Sequence, residues 1–179
     1  VLMMPVYING SSRKGGHTTA IAKLLSGAEN HNVIHLLDYN MGFFEYDNSN
    51  NDDDFIPLIK ELAESDVWVF LTPVYWYSMS ARMKTFFDRL SDLLKWEKDI
   101  YKKIRNIRWY ALSCGSDDAE VPGFFEPFKR SAEYLDIQYM GDIHVWKDNR
   151  LPMEEEVIFR LRAFQDAILK GKPINVVNQ

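Results

Sequence analysis

Asp66 to Thr72 reads Asp-Val-Trp-Val-Phe-Leu-Thr, an almost unbroken apolar run closed by Pro73. A strand with one wet face alternates apolar and polar side chains. A run without polar breaks has both faces covered, as in the central strand of a parallel sheet with helices on either side. The flanking segments agree. Apolar strand patterns recur at Val1 to Ile8, Val33 to Leu37, Ile107 to Ser113 and Ile137 to Trp146. Between them the spacing of three and four residues predicts helices. These run through Ile21, Leu24, Leu25 and Ala28; through Phe55, Leu58, Ile59 and Leu62; and through Met83, Phe86, Phe87, Leu90 and Leu94. Phe124 to Leu135 and the stretch from Pro152 to Gly171 complete the set, while Lys95 to Asn106 carries no clear period. Five strands alternating with five helices define an α/β chain with an open parallel sheet, read as one domain over residues 1–179.

Ligands of such sheets bind beyond the carboxyl ends of the strands, at the switch point in strand order. The loops after the first, third and fourth strands all lie at that edge. The first is Asn9-Gly10-Ser11-Ser12-Arg13-Lys14-Gly15-Gly16-His17-Thr18-Thr19, running from a strand into a helix start. Free N–H groups and the helix dipole make such a start an anion site. Ser11, Ser12, Thr18 and Thr19 offer hydroxyls, and Arg13 offers a forked cation suited to phosphate. Gly10, Gly15 and Gly16 allow positive φ or close approach. The dinucleotide pattern Gly-x-Gly-x-x-Gly is absent, and Gly16 stands where a triphosphate-binding loop needs lysine. A phosphate monoester suits the loop better than a triphosphate. An ordinary strand-to-helix turn also needs such residues, so this loop alone leaves both readings open.

The third-strand loop, Thr72-Pro73-Val74-Tyr75-Trp76-Tyr77-Ser78-Met79-Ser80, carries three consecutive aromatics. Neighbours in an extended segment face opposite ways, so one core cannot take all three. At least one is expected to border the strand-end cleft, where a flat aromatic ligand fits. A phosphate cradle and an aromatic loop on one edge suggest a phosphorylated planar cofactor such as FMN.

These two loops, with Lys84-Thr85-Phe86-Phe87-Asp88-Arg89, closely resemble the NADPH-dependent FMN reductase family, a flavodoxin-like group that includes quinone reductases and iron–sulfur flavoproteins. The resemblance implies a flavodoxin-like three-layer sandwich with strand order 2-1-3-4-5. It implies that Ser11, Arg13, His17, Thr18 and Thr19 bind the FMN phosphate, with Ser12 beside them. Pro73, Val74, Tyr75, Trp76, Tyr77 and Ser78 would line the ring and ribityl chain, and Cys114, Gly115 and Ser116 the pyrimidine side. Iron–sulfur members carry a cysteine cluster after the second strand. Here that loop, Asp38 to Asp54, has no cysteine, so the electron path is expected to end at the flavin.

The expected activity is transfer of hydride from NAD(P)H through FMN to a small acceptor by ping-pong kinetics, with no catalytic side chain required. An electron carrier that docks to protein partners, or a regulator without turnover, would share the same motifs. The net charge of −5 gives no long-range attraction to nucleic acid or an anionic membrane, and no apolar run is long enough to span one. The single cysteine, Cys114, rules out an internal disulfide and suits a reducing, cytoplasmic compartment. The apolar start lacks a basic leader, so it is expected to be a buried strand and not a signal peptide. His17, His31, His35 and His144 lack metal-ligand spacing, and no metal is expected. Aromatics at Phe43 to Tyr46 and Trp96 suggest a homodimer.

Overall fold

The computed structural model describes residues 3–27, 32–148 and 152–174. Its five strands are β1 (Pro5–Asn9), β2 (Val33–His35), β3 (Val67–Pro73), β4 (Arg108–Gly115) and β5 (Tyr139–Trp146). All pair in parallel, in the order β2-β1-β3-β4-β5. The helices are α1 (His17–Ser26), α2 (Phe55–Leu62), α3 (Ala81–Lys95), α4 (Lys98–Ile104), α5 (Glu126–Tyr134) and α6 (Glu155–Lys170). The expected sheet order is thus present.

Every residue of β3 is buried, as its unbroken apolar run requires. Trp68 and Phe70 enter one core with α2, α3, α4 and α5, while Val67, Val69 and Leu71 enter a second with α1 and α6. The two-residue period of a strand makes this division. Trp68 stacks on Trp109 of β4 in register with it, at 5.8 Å and 13°. Fully burying one such large side chain contributes about 1.5–3 kcal/mol.

Three boundaries differ from the sequence reading. Lys95 to Asn106, unassigned there, holds α4, so the described residues contain six α-helices and not five. Only Ile100 and Ile104 of α4 are buried, too few for a visible period. Helix α5 begins at Glu126 because the chain first turns at Gly123, where φ is +76°. Helix α6 begins at Glu155, three residues after Pro152, and ends as expected at Gly171 in the left-handed conformation. Ala28 and His31 lie outside the described residues.

The long loop between β2 and α2 is packed down by Arg89 of α3. This guanidinium is 1% exposed and binds Asp92, both oxygens of Asp53, and the carbonyls of Gly42 and Asn50. Asp54 holds the N-cap position of α2, but its carboxylate accepts from the Asn40 N–H at 2.6 Å; Asp53 accepts from the Phe55 N–H at 2.9 Å. Asp88 pairs with Lys84 at 2.5 Å on the exposed face of α3, one helical turn away.

Candidate cofactor site at the strand ends

Helix α1 makes its first backbone bond from the Ala20 N–H to the Gly16 carbonyl. The N–H groups of His17, Thr18 and Thr19 therefore have no helical acceptor, and they carry the positive end of the helix dipole. Ser12 and Arg13 are exposed beside them, and His17 is half-buried. Lys14 turns away to pair with Asp38 at 2.6 Å. The cations and donors left at the loop are those a phosphate monoester needs.

The loop's shape is set by a residue the sequence reading passed over. Asn9, fully buried at the end of β1, donates to the Thr19 hydroxyl at 2.9 Å and bonds His35 Nδ1 at 3.2 Å. Its carbonyl oxygen accepts from the Ser11 N–H at 2.9 Å. Thr19 in turn donates to the Arg13 carbonyl, and Ser11 Oγ bonds the Arg13 backbone. The hydroxyls of Ser11 and Thr19 therefore hold the loop from inside, and what Thr19 offers outward is its N–H. Burial lowers the pKa of His35, and Lys14 and Lys23 add to this against Asp38. No glycine of the loop takes positive φ; Gly16 has φ −85°. Gly10 is needed for close approach, since a Cβ there would lie 2.9 Å from Ser80 Oγ and 3.1 Å from Met83 Cβ.

Ser80, also unrecognised from sequence, joins the two loops. Its hydroxyl donates to the Gly10 carbonyl at 2.7 Å and caps α3 by accepting from the Met83 N–H, while its own N–H donates to Thr72 Oγ1. A serine just before a helical period is an N-cap signal that could have been read.

The aromatic loop is a two-residue hairpin. Tyr75 and Ser78 exchange both backbone bonds, and Trp76 and Tyr77 between them have φ of +48° and +63°. Two central residues with positive φ make the tight turn normally given to Asn-Gly. Neighbours therefore do not alternate as an extended segment would. Tyr75 is 40%, Trp76 93% and Tyr77 75% exposed. Pro73 is buried and Val74 half-buried, with the Val74 N–H bonded to the Cys114 carbonyl. Ser78 is exposed at the foot of the turn.

Gly115 and Ser116 follow at the mouth of β4, and the Ser116 hydroxyl bonds Asp117. Cys114 is 6% exposed under the helix start, where it meets the Thr18 hydroxyl. Burial pushes its thiol up to about 11, against the hydrogen bond from Thr18. Reactivity needs the thiolate. Native protein at pH 8 is therefore expected to react with a maleimide at least tenfold more slowly than the unfolded chain, as mass spectrometry of quenched samples would record.

Sheet order, an N–H-rich helix start and an exposed aromatic turn at one strand edge define a flavodoxin-like α/β protein. The family model for NADPH-dependent FMN reductases matches residues 3–116, and the chain belongs to that family of oxidoreductases, whose cofactor is FMN and whose donor is a reduced nicotinamide. The Bacillus subtilis protein YwqN, named for an NAD(P)H-dependent FMN-containing oxidoreductase, is 25% identical over 153 residues, 78% of this chain and 82% of its own. Among solved structures, the Trp repressor binding protein of Bacillus subtilis has a TM-score of 0.68 at 20% identity, covering 93% of this chain and 97% of that one. General stress protein 14 of Treponema denticola, solved in complex with FMN, has a TM-score of 0.64 at 15% identity, covering 92% and 99%. These two likenesses concern the fold. Among the described residues no helix is long and apolar enough to cross a membrane.

Proposed function

We propose that the chain, acting as one flavin-binding unit, passes electrons from NAD(P)H through FMN to a small acceptor in ping-pong order. The acceptor classes in view are a quinone, free flavin, a nitro or azo compound, or a metal ion. The observation that carries this is the Ser80 junction. It ties the N–H-rich loop to the aromatic turn, so a phosphate donor set and a flat apolar surface are held at one edge. In this reading the N–H groups of His17, Thr18 and Thr19, with Ser12 and Arg13, take the phosphate, while Ser11, whose N–H and hydroxyl are spent on Asn9 and Arg13, shapes the loop. A doubly charged monoester is the match for several N–H donors, a helix N-terminus and one guanidinium.

Pro73 to Ser78 would take one side of the ring, with the N–H groups of Trp76 and Tyr77 at the tip of the turn the candidates for its polar edge, and Cys114, Gly115 and Ser116 would border the pyrimidine side. FMN, once bound, supplies the hydride acceptor and the electron relay. The residues around it orient both partners and keep water from the ring. No side chain has to exchange a proton.

An anaerobic visible spectrum of the FMN-loaded protein tests this. NADPH or NADH is expected to bleach the flavin band within seconds, and the faster nucleotide is the donor. A chain that binds no FMN overturns the reading. One that binds FMN but stays oxidised is the carrier in place of the enzyme.

We also propose a cytoplasmic homodimer. Phe43 is 74% and Tyr46 83% exposed on the loop latched by Arg89, and Lys95 sits over the rings of Phe44, Tyr46 and Trp96. Exposed aromatic surface of this kind is covered at low cost by a second copy. Light scattering is expected to give twice the chain mass of 21.0 kDa, and a monomeric mass refutes the dimer.

A further inference from the structure

Beside the two loops, a cavity of about 230 Å³ opens between the ends of β4 and β5 and the approach to α5. Val74, which leads into the aromatic turn, forms part of its wall with Val121, Phe124 and Phe125. None of the last three belongs to the residues assigned to FMN. An apolar cavity of about 150 Å³ takes a benzene ring, so this one has room for a single ring with substituents.

The polar lining favours acceptors. His144 Nε2 lies 3.0 Å from the Asp117 carbonyl, which can only accept, so that nitrogen carries the proton. His144 Nδ1, 2.8 Å from Ser113 Oγ, then accepts the serine proton. Ser113 is left with oxygen lone pairs and no proton to give. Asp142 accepts from the Tyr139 hydroxyl at 2.9 Å through one oxygen, and its other has no hydrogen bond among the described residues. Glu120 meets Arg160 through one oxygen only. Four of the five Arg160 N–H groups are engaged by Glu156, Glu120 and the His144 carbonyl, which leaves one donor. The cavity therefore presents more acceptors than donors, set among apolar and aromatic walls.

We propose that this cavity is a subsite for a single aromatic ring bearing hydroxyl or amino donors, the reduced form of a small acceptor. The proposal rests on reading this edge as the redox site. A quinone that takes up two electrons and two protons exchanges two carbonyl acceptors for two O–H donors. A nitro group reduced as far as the amine, with six electrons and six protons and loss of two waters, likewise ends with N–H donors. The walls would then bind product better than substrate, and release from this subsite follows each turnover.

Catechol is the probe, and 1,2-dimethoxybenzene is the same ring without donors. Titration of the full chain, with and without added FMN, follows the ring signals of His144 and of Trp146, which stacks on it at 6.2 Å. Catechol is expected to shift both signals and to bind at least tenfold more tightly than the dimethoxy ring. Val121→Trp, at a half-exposed loop position, fills the cavity and is expected to weaken catechol at least tenfold while FMN affinity stays unchanged. Asp142→Asn, close in shape, is expected to weaken it several-fold.

Equal binding of the two rings, or catechol binding that Val121→Trp leaves intact, overturns the proposal. If FMN does not bind, the redox reading falls and the titration without flavin still judges the cavity. If FMN binds and catechol does not, the subsite alone falls.

Discussion

Arg89→Ala is expected to lower the unfolding free energy by about 3–5 kcal/mol, the cost of removing one partner from a buried ion pair. For a chain of this size that corresponds to a melting temperature lower by roughly 10 °C. The guanidinium and the Asp53 and Asp92 carboxylates have side chains no more than 8% exposed. Without it, Asp92 and the carbonyls of Gly42 and Asn50 lose this donor, and Asp53 keeps only the Phe55 and Gly42 N–H groups. Urea unfolding measures the loss. A change below 1 kcal/mol would mean that the loop does not depend on this residue. Acid should act on the same network. Burial works to raise the Asp53 carboxyl, but hydrogen bonds from Arg89 and from the Phe55 and Gly42 N–H groups outweigh it and hold the group below its usual range. A depressed carboxyl stabilises fully above the unfolded value of about 3.9. That stability is lost as pH falls through the lower folded value. Arg89→Ala should therefore flatten the acid limb of the stability curve.

Asn9→Leu is expected to act on both fold and cofactor. It removes the acceptor of the Ser11 N–H and the donor to Thr19 and His35, all beneath the phosphate loop. Each polar group left buried without a partner costs about 1–3 kcal/mol, so a loss of roughly 2–4 kcal/mol is expected. FMN affinity should fall at least tenfold, because the loop loses the bonds that aim its N–H groups. Asn9→Asp keeps the acceptor for Ser11 and is expected to lie between the two. Flavin fluorescence quenching reads affinity and thermal melting reads stability. An Asn9→Leu protein with unaltered FMN affinity would show that the loop holds its shape without Asn9.

The sheet was legible because burial on two faces leaves a direct mark. Val67 to Leu71 has no polar break, and the flanking helices show their period in large residues such as Phe86 and Phe164. Helix α4 left no such mark, since two isoleucines in seven residues make no period. At the site, residue types were legible and their partners were not. Ser80 and Gly10 lie 70 positions apart, and Arg89 reaches Gly42 across 47. Arg89 was visible only as the last residue of the Lys84 to Arg89 motif; that it is a buried anchor follows only from where α3 packs. The aromatic loop had been expected to alternate as an extended segment. Its tight turn was hidden because it is made without glycine or asparagine, the residues by which such turns announce themselves.

That turn sets a limit on how stable this protein can be. Left-handed backbone at a bulky residue costs on the order of 1–3 kcal/mol, and Trp76 and Tyr77 sit there side by side. A tip of Asn-Gly would relax the backbone and raise the melting temperature. It would also delete the widest exposed rings at the strand edge, and flavin affinity should fall as the chain grows sturdier. If both quantities rose together, the rings would have no part in holding the cofactor. Fold and ligand make opposite demands on the same two residues, so selection for heat resistance alone would be expected to erase this tip.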